Sequence, residues 1–475
     1  MSDTQCHGRV LLLGLDFGST TSSVLISYAR PERGNQGTVL RCNVQDVVYR
    51  PAPVFTPFSE HGIDAAALGA LLDGWLAEAG IDASQVFAGG ALVTGLAAQQ
   101  SNAQAIAALI SERLGEQLLA NAGEPALESW LAFMGGSAAL SRLEPDCDVL
   151  NLDIGGGTTN PALGRDGQVL SSGCYDIGAR HLRFVPGSYR LSGLSPQGKR
   201  LLLQLGLPAR CGDTLSHDAV AQVTAVYVRA LEALVSDAGL PPAWRWLGTL
   251  PLQLSRQGPR RITFSGGVGE LLYAHSATGD WPETSCYGDL GVALAQAIAR
   301  SPVLSRDLHS HCPPQRGRAT VCGLALNSSE VSGASLFLPQ PSCLPLRNLP
   351  VLGTLRAGQT PQALRQVLAL ADSCQSGVCF QYDFGCGQAM PGLAQIRCAA
   401  AALAEALKGR ELAAQQPLVL LLRQNAGKVF GNYVTDWGRS HRALVVIDEV
   451  AAREARFVHI GRSHRGMVPV SYFGL

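Results

Sequence analysis

Asp16 and Asp153 end two apolar runs in the same way. One lies in LLGLDFGSTTSSVLIS (residues 12–27) and the other in VLNLDIGGGTTNPAL (residues 149–163). After each carboxylate comes a turn of small residues, Gly18, Ser19, Thr20 and Thr21 in the first, Gly155, Gly156, Gly157, Thr158 and Thr159 in the second. Each chain segment then becomes apolar again. Glycine lacks a Cβ, so such turns bare successive backbone N–H groups that form a nest for phosphate oxygens, with hydroxyls as extra donors. Carboxylates repel phosphate but suit Mg²⁺, which keeps most of its waters and is held by one or two acidic side chains beside substrate phosphates. Asp16 is therefore expected to hold the metal, and Asp153 to share it and polarise an attacking water.

A third stretch, TFSGGVGE (residues 263–270), would serve the other end of a nucleotide. Gly266 and Gly267 allow close approach to a ribose or purine face, and the helix that follows aims its positive end at the ligand. Glu270 is placed to accept from a ribose hydroxyl. Glu128, in EPALESWLAF, is a candidate for orienting water; an ordinary exposed helix glutamate is the competing reading. One Gly/Thr turn alone is common hairpin chemistry. Two matched turns 137 residues apart, followed by the third stretch, point to nucleotide binding.

The elements that must carry these residues can be read from periodicity. Residues 9–50 alternate strands and turns as a β-meander. IDAAALGALLDGWLAEAG (63–80) has helical spacing and a glycine stop, VFAGGALVTG reads as a buried strand, and a second helix is expected over 103–119. The second Asp turn is followed by a third strand, QVLSSGCYDIG, then a long helix over 217–239, then strand, turn and helix in RRITFSGGVGELLYAH. Pro- and Gly-rich sequence near 312–317 and 339–350 marks junctions, and further α/β alternation begins near residue 340. Lys428, in NAGKVFGNYV, is expected on a Gly-rich turn after a strand, solvated rather than anion-binding.

Bulk properties narrow the classes. With 475 residues, 47% apolar and 16% charged, and a mean hydropathy of +0.13, the chain should fold into several packed units. Its 37 basic and 37 acidic residues cancel, so no global field favours nucleic acid or a membrane surface. None of its lysines (199, 408 and 428) sits in a Walker-type loop, which excludes a P-loop. No leader peptide or membrane span is read, and thirteen cysteines without a C-x-x-C pair fit reduced thiols in a cytosol. The run HSHC (309–312) lacks an obvious fourth zinc ligand and is expected to be a solvated loop.

GLDFGSTT, NLDIGGGTTN and ITFSGGVGE resemble the phosphate-1, phosphate-2 and adenosine motifs of the actin, Hsp70 and sugar-kinase ATPase superfamily, and only this resemblance brings Val268 into the site, beside Gly266 and Gly267 in the adenosine motif. Beyond them, RATVCGLALNSSEVSGAS, LPLRNLPV, VIDEV and the ending GMVPVSYFGL resemble the ethanolamine ammonia-lyase reactivating factor family, through nearly the whole chain. The resemblance implies an α/β, duplicated actin/Hsp70-like (ribonuclease H-like) core, two lobes around a nucleotide cleft, plus a C-terminal α/β region. Residues 1–135 would form the first lobe, completed by about 313–340, residues 136–312 the second, and residues 341–475 the C-terminal region, assigned to partner docking. It implies ATP and Mg²⁺ as cofactors, ethanolamine ammonia-lyase as partner, and release of damaged cobalamin so that intact adenosylcobalamin can enter. It also implies a cytoplasmic location with association with an ethanolamine-utilising microcompartment, and leaves the oligomeric state open. Where the family reads Thr-Gly-Glu, this chain has Thr94-Gly95-Leu96, so slow hydrolysis is expected. Two other classes fit the same fold, a small-molecule kinase, with Asp176 as the available base, and an actin-like structural ATPase.

Overall fold

The computed structural model describes residues 9–34, 37–41, 46–59, 62–93, 102–114, 119–122, 125–254, 260–327, 330–332, 336–374, 377–387, 389–410, 417–440, 443–450, 455–463 and 466–473. Strands β1 (Val10–Phe17) and β2 (Thr21–Gly34) form an antiparallel hairpin in which Asp16 faces Ser23. Strand β3 (Gly37–Arg41) extends the meander, and β4 (Val47–Tyr49) and β5 (Val54–Phe55) pair with β2. A ribbon of β6 (Phe58–Ser59) and β7 (Gly62–Ile63) leads into helix α1 (Ala65–Ala79). Asp64 caps α1 by accepting from Ala66 N and Ala67 N, and Gly80 closes it at φ 66°. Leu68, Leu72 and Trp75 bury the inner face of α1 with Leu13, Phe17 and Ile26 of the hairpin. Strand β8 (Val86–Val93) lies parallel to β1, buried throughout, and helix α2 (Ala103–Leu114) returns the chain to β9 (Leu119–Ala122), parallel to β8.

The helix expected over 103–119 is described over Ala103–Leu114, and Leu119, its expected last residue, opens a strand. Pairing with β8 wins there over local helix propensity, since strand formation depends on neighbours more than on the residues themselves.

The second half repeats the plan. Helix α3 (Pro125–Ala132), a π-helical turn (Phe133–Ser137) and α4 (Ala138–Leu143) lead to β10 (Asp148–Ile154), which pairs antiparallel with β11 (Thr159–Arg165) so that Asp153 faces Asn160. Strands β12 (Gln168–Ser172) and β13 (Cys174–Tyr175) follow, then the ribbon β14 (Leu182–Phe184) and β15 (Leu191–Leu194). Helices α5 (Pro196–Gln204) and α6 (His217–Val235), capped by Ser195 and Ser216, precede β16 (Gly248–Leu250) and β17 (Arg260–Ser265). Strand β17 runs parallel to β10 and breaks directly into α7 (Gly266–His275), followed by α8 (Gly291–Arg300). In both halves a hairpin takes a parallel strand against its first member, giving β2-β1-β8 and β11-β10-β17. This is the duplicated α/β plan expected from the sequence.

Helix α9 (Ala319–Asn327) joins the halves, packing on α3, the π-helical turn, β1 and β2. The crossing is backbone on backbone. A Cβ on Gly135 would overlap Ala319 O and Gly323 N, one on Gly323 would overlap Leu131 O, and one on Gly14 would overlap Val321 O. No side chain fits at these three positions without moving a helix.

Strand β18 (Glu330–Ser332) then pairs with β3 on one side and with β24 (Val468–Phe473) on the other. Between them come β19 (Leu346–Arg356), α10 (Pro361–Leu368), β20 (Val378–Asp383), α11 (Leu393–Leu407), β21 (Leu418–Leu422), α12 (Gly427–Val434), β22 (Leu444–Ile447) and β23 (Phe457–Ile460). Strands β19 to β22 are parallel and joined by helices, and β21 is buried along its whole length, as parallel strands covered on both faces must be. Among the described residues one sheet thus runs β22-β21-β20-β19-β23-β24-β18-β3-β2-β1-β8-β9. Lys428 sits in the first turn of α12, exposed, instead of on a turn between elements; Asp448 Oδ2 accepts Gly427 N at 2.9 Å and starts that helix from a distant segment. Among the described residues no helix is long and apolar enough to cross a membrane.

Candidate functional site

The two turns are built alike. Gly18 N donates to Thr21 O at 3.0 Å, and Gly155 N donates to Thr158 O at 2.9 Å, the same bond at the same offset from Asp16 and Asp153. Thr56 straps the first turn from behind, its N–H donating to Thr20 O at 3.0 Å and its hydroxyl to Gly18 O at 2.7 Å. Ala179 N and Arg180 N strap the second, donating to Gly155 O at 3.1 Å and Gly156 O at 2.6 Å. These straps engage carbonyl oxygens, whereas a bound phosphate asks the turns for N–H groups.

The turns also meet. A Cβ on Gly156 would lie 2.7 Å from Thr20 Oγ1 and 3.1 Å from Ser19 Cβ. Both carboxylate-headed loops therefore open into one cleft of about 770 Å³. Its lining includes Asp16, Gly18, Ser19, Thr20, Thr21, Glu128, Asp153, Gly155, Gly156, Gly157, Thr158, Gly266, Gly267, Val268 and Glu270. Thr159 is the one expected site residue that does not line it. It is fully buried, and its hydroxyl donates to Ile177 O at 2.8 Å.

Asp153 is 4% exposed. Ser265 Oγ donates to its Oδ1 at 2.6 Å, and Asn151 Nδ2 donates to Ser265 Oγ at 2.8 Å. Asn151 Oδ1 is in turn held by Ser137 Oγ and Thr263 Oγ1, so buried hydroxyls from β17 and the π-helical turn fix the aspartate. Burial pushes its pKa up from 3.8 to about 6, against the pull of the Ser265 hydrogen bond. Asp16 and Glu128 are only half-buried.

At the other end of the cleft, Gly266 has φ 77°, and a Cβ there would lie 2.5 Å from Ile154 O, so β17 can turn into α7 only with glycine at that position. Val268 is 1% exposed and packs in the second-half core, leaving its backbone to the cleft. Gly267 has nothing within 4 Å of a built Cβ. Gly267→Leu is therefore expected to keep the fold, with about 1 kcal/mol gained from helix propensity, and to lose nucleotide binding because the side chain fills ligand space. Thermal melting and ATP titration of the same variant check both halves; a stable variant that still binds ATP would put the ligand elsewhere.

Three arginines in the cleft carry no motif. Arg50, Arg316 and Arg318 line it; Arg50 Nη1 donates to Gln315 Oε1 at 3.2 Å and Arg318 Nη1 to Arg50 O at 3.5 Å. Arg316 Nε lies 3.5 Å from Glu270 Oε2. Burial, with Arg50 alongside, lowers the Arg318 pKa. Asp289 also lines the cleft, its pKa raised by burial while its Oδ1 accepts Gly291 N at 2.8 Å. The QRGR run at 315–318 was the one visible signal, and as sequence it reads only as a junction.

Other candidates fall outside. Asp176 is not among the lining residues; burial raises its pKa and hydrogen bonds with Thr249 and Gln197 pull it back. In HSHC, His311 is an anchor: its Nε2 lies 2.8 Å from Glu144 Oε1 and its Nδ1 2.8 Å from Ser310 Oγ. Thr94-Gly95-Leu96 lies outside the described residues.

The family of ethanolamine utilisation protein EutA matches residues 8–472. The chain belongs to the EutA family. Two EutA relatives, each named ethanolamine ammonia-lyase reactivase EutA, come from Salmonella typhimurium and Escherichia coli; both are 30% identical over 98% of this chain and 97% of their own length. Among solved structures, the activator of the 2-hydroxyisocaproyl-CoA dehydratase from Clostridium difficile with bound ADPNP overlaps 67% of this chain and 93% of its own, at 13% identity and TM-score 0.31. The Aquifex aeolicus PPX-GPPA enzyme overlaps 58% and 73%, at 14% identity and TM-score 0.36. With overlaps that weak, the strand order is what fixes the fold of this EutA chain.

Proposed function

We propose that this chain is an ATP-dependent reactivase that frees ethanolamine ammonia-lyase of damaged cobalamin so that intact adenosylcobalamin can bind. The meeting of the two carboxylate-headed turns at Gly156 and Thr20 carries the ATP part of the reading. The reactivase names of the two relatives carry the choice of partner.

The donor set fits a magnesium nucleotide. Asp153 is a buried carboxylate with a raised pKa, a cost that a nearby dication removes. Among the described residues no group of three or more His, Cys, Asp or Glu could hold an ion unaided, which suits Mg²⁺, since it borrows its remaining ligands from phosphates and water. Bound Mg²⁺–ATP supplies a phosphoryl group whose transfer to water releases free energy.

Asp16 and Asp153 would hold the metal, and the N–H groups of both turns would hold phosphate oxygens. Glu128, in the same cleft, would orient the attacking water, with Arg50, Arg316 and Arg318 supplying positive charge. Gly266 and Gly267 would admit the adenosine, with Glu270 on the ribose. Once the two turns no longer share a ligand, the halves separate about the glycine crossing of α9. Unequal affinity of the open and closed forms for the lyase then works on its cobalamin site. This role places the chain with the lyase, in the cytoplasm or an ethanolamine-utilising microcompartment.

The test is recovery of cyanocobalamin-inhibited ethanolamine ammonia-lyase with ATP, Mg²⁺ and adenosylcobalamin, with and without the protein. Activity should return only when all are present, and Asp16→Asn should not support it. Recovery without ATP, or a small molecule phosphorylated in the absence of the lyase, would overturn the reading.

A further inference from the structure

The parallel strands β19, β20 and β21 end at one edge of the C-terminal region, and a second cavity of about 340 Å³ opens there. It shares no lining residue with the first cleft. Open α/β sheets bind ligands outside the carboxyl ends of their strands, where loops rather than ladder partners follow. The floor is buried and largely carbon, with Tyr382, Leu421, Val450 and Tyr472.

The rim is charged. Arg356 ends β19, Asp383 ends β20, and Arg423 follows β21, all exposed. Arg356 and Asp383 are register partners on adjacent strands, yet Asp383 Oδ1 accepts Gly385 N at 2.8 Å, and among the described residues neither arginine has an ion-pair partner. Two guanidinium forks facing one pocket suit a carboxylate or phosphate.

Gln424 supplies the second observation. It lines the cavity, is 5% exposed, and donates Nε2 to Gly387 O at 2.6 Å, which fixes the orientation of its amide. Its Oε1 has no hydrogen-bond partner among the described residues. A buried acceptor left unpaired in a native fold calls for a donor from outside. The nearby start of α12 does not compete for an anion, because Asp448 already satisfies Gly427 N.

We infer that this cavity is a second ligand site, for a small molecule with a phosphate or carboxylate at one end and a hydroxyl or amine at the other. Arg356 and Arg423 take the anion, Gln424 Oε1 accepts from the donor, and the tyrosine floor packs the carbon skeleton. The cavity stands at the low end of the ~300–1,000 Å³ typical of ligand pockets, which excludes dinucleotides and macrocycles.

Calorimetry on the full chain tests it, with glycerol 3-phosphate and glycerate as probes and glycerol as the neutral control. At least one anion should bind at millimolar concentration or below while glycerol does not, and the better anion identifies the headgroup. Arg356→Gln and Arg423→Gln, both on exposed residues, should each weaken binding at least about tenfold, and excess ATP should not displace the probe. No heat from either anion, undiminished binding in both arginine variants, or displacement by ATP would each overturn the assignment.

Discussion

Asp153→Asn should make the ligand-free protein more stable at neutral pH while abolishing its Mg²⁺-dependent ATP turnover. The carboxylate is almost fully buried, and its pKa moves from 3.8 to about 6 on folding. Below about pH 3 the group is protonated in both folded and unfolded chains, so Asp and Asn should be equivalent. As pH rises from there toward 6, the unfolded chain releases the proton first, and the wild type loses stability relative to the variant. Above about pH 7 both states are ionised and the difference levels off at about 3 kcal/mol, from two pKa units at ~1.4 kcal/mol each. The amide oxygen of Asn can still accept from Ser265, so the surrounding network survives. Urea unfolding of both proteins at pH 3 and pH 7.5, with phosphate release at pH 7.5, measures the whole pattern. Equal stabilities at pH 7.5 would show that the carboxylate is not buried as described, and retained turnover would remove it from the mechanism. The same proton should make apparent Mg²⁺ affinity of the wild type fall as pH drops below about 6.

Gly323→Val should cost about 4 kcal/mol or more, or prevent folding altogether. Any Cβ at this position lands on the Leu131 backbone, and one turn further along the same helical run Gly135 presses on Ala319 and Gly323. A rotamer change cannot relieve overlap with backbone, so α9 must lift off α3. Gly74→Ala is the control: it lies mid-helix in α1 with nothing within 4 Å of a built Cβ, and should gain up to about 1 kcal/mol. Chemical denaturation midpoints for the two variants should move in opposite directions. An unchanged midpoint for Gly323→Val would mean that the crossing is looser than described.

The sequence carried the hairpins because their signal is local: a strand, a carboxylate and a glycine turn lie within a dozen consecutive residues. Thr159 shows the limit of that signal. It opens β11, and its hydroxyl is spent on Ile177 O at the base of the turn, whereas Thr158, one residue earlier, still belongs to the turn and lines the cleft. The arginine wall was illegible for a different reason. Arg50 and Arg318 are 268 positions apart and meet only through tertiary folding, each on a segment with no motif. Lys428 was misplaced because NAGK reads as a turn; the acceptor that starts its helix, Asp448, comes from a segment after β22. Likewise Leu119–Ala122 has no strand signature of its own and is a strand because β8 offers it an edge.

The ladder through β18 has a mechanical consequence. With β3 on one flank and β24 on the other, the C-terminal region and the first half are stitched into one slab by peptide hydrogen bonds. A partner gripping the far end at β22 would therefore pull on a continuous hydrogen-bonded sheet. Under the proposed function, cleft opening would be the swing of one arm, the half built on β10, against that slab. In the proposed cycle, force generated at the Asp16 turn, which leaves β1, would reach β22 nine strands away along this one sheet.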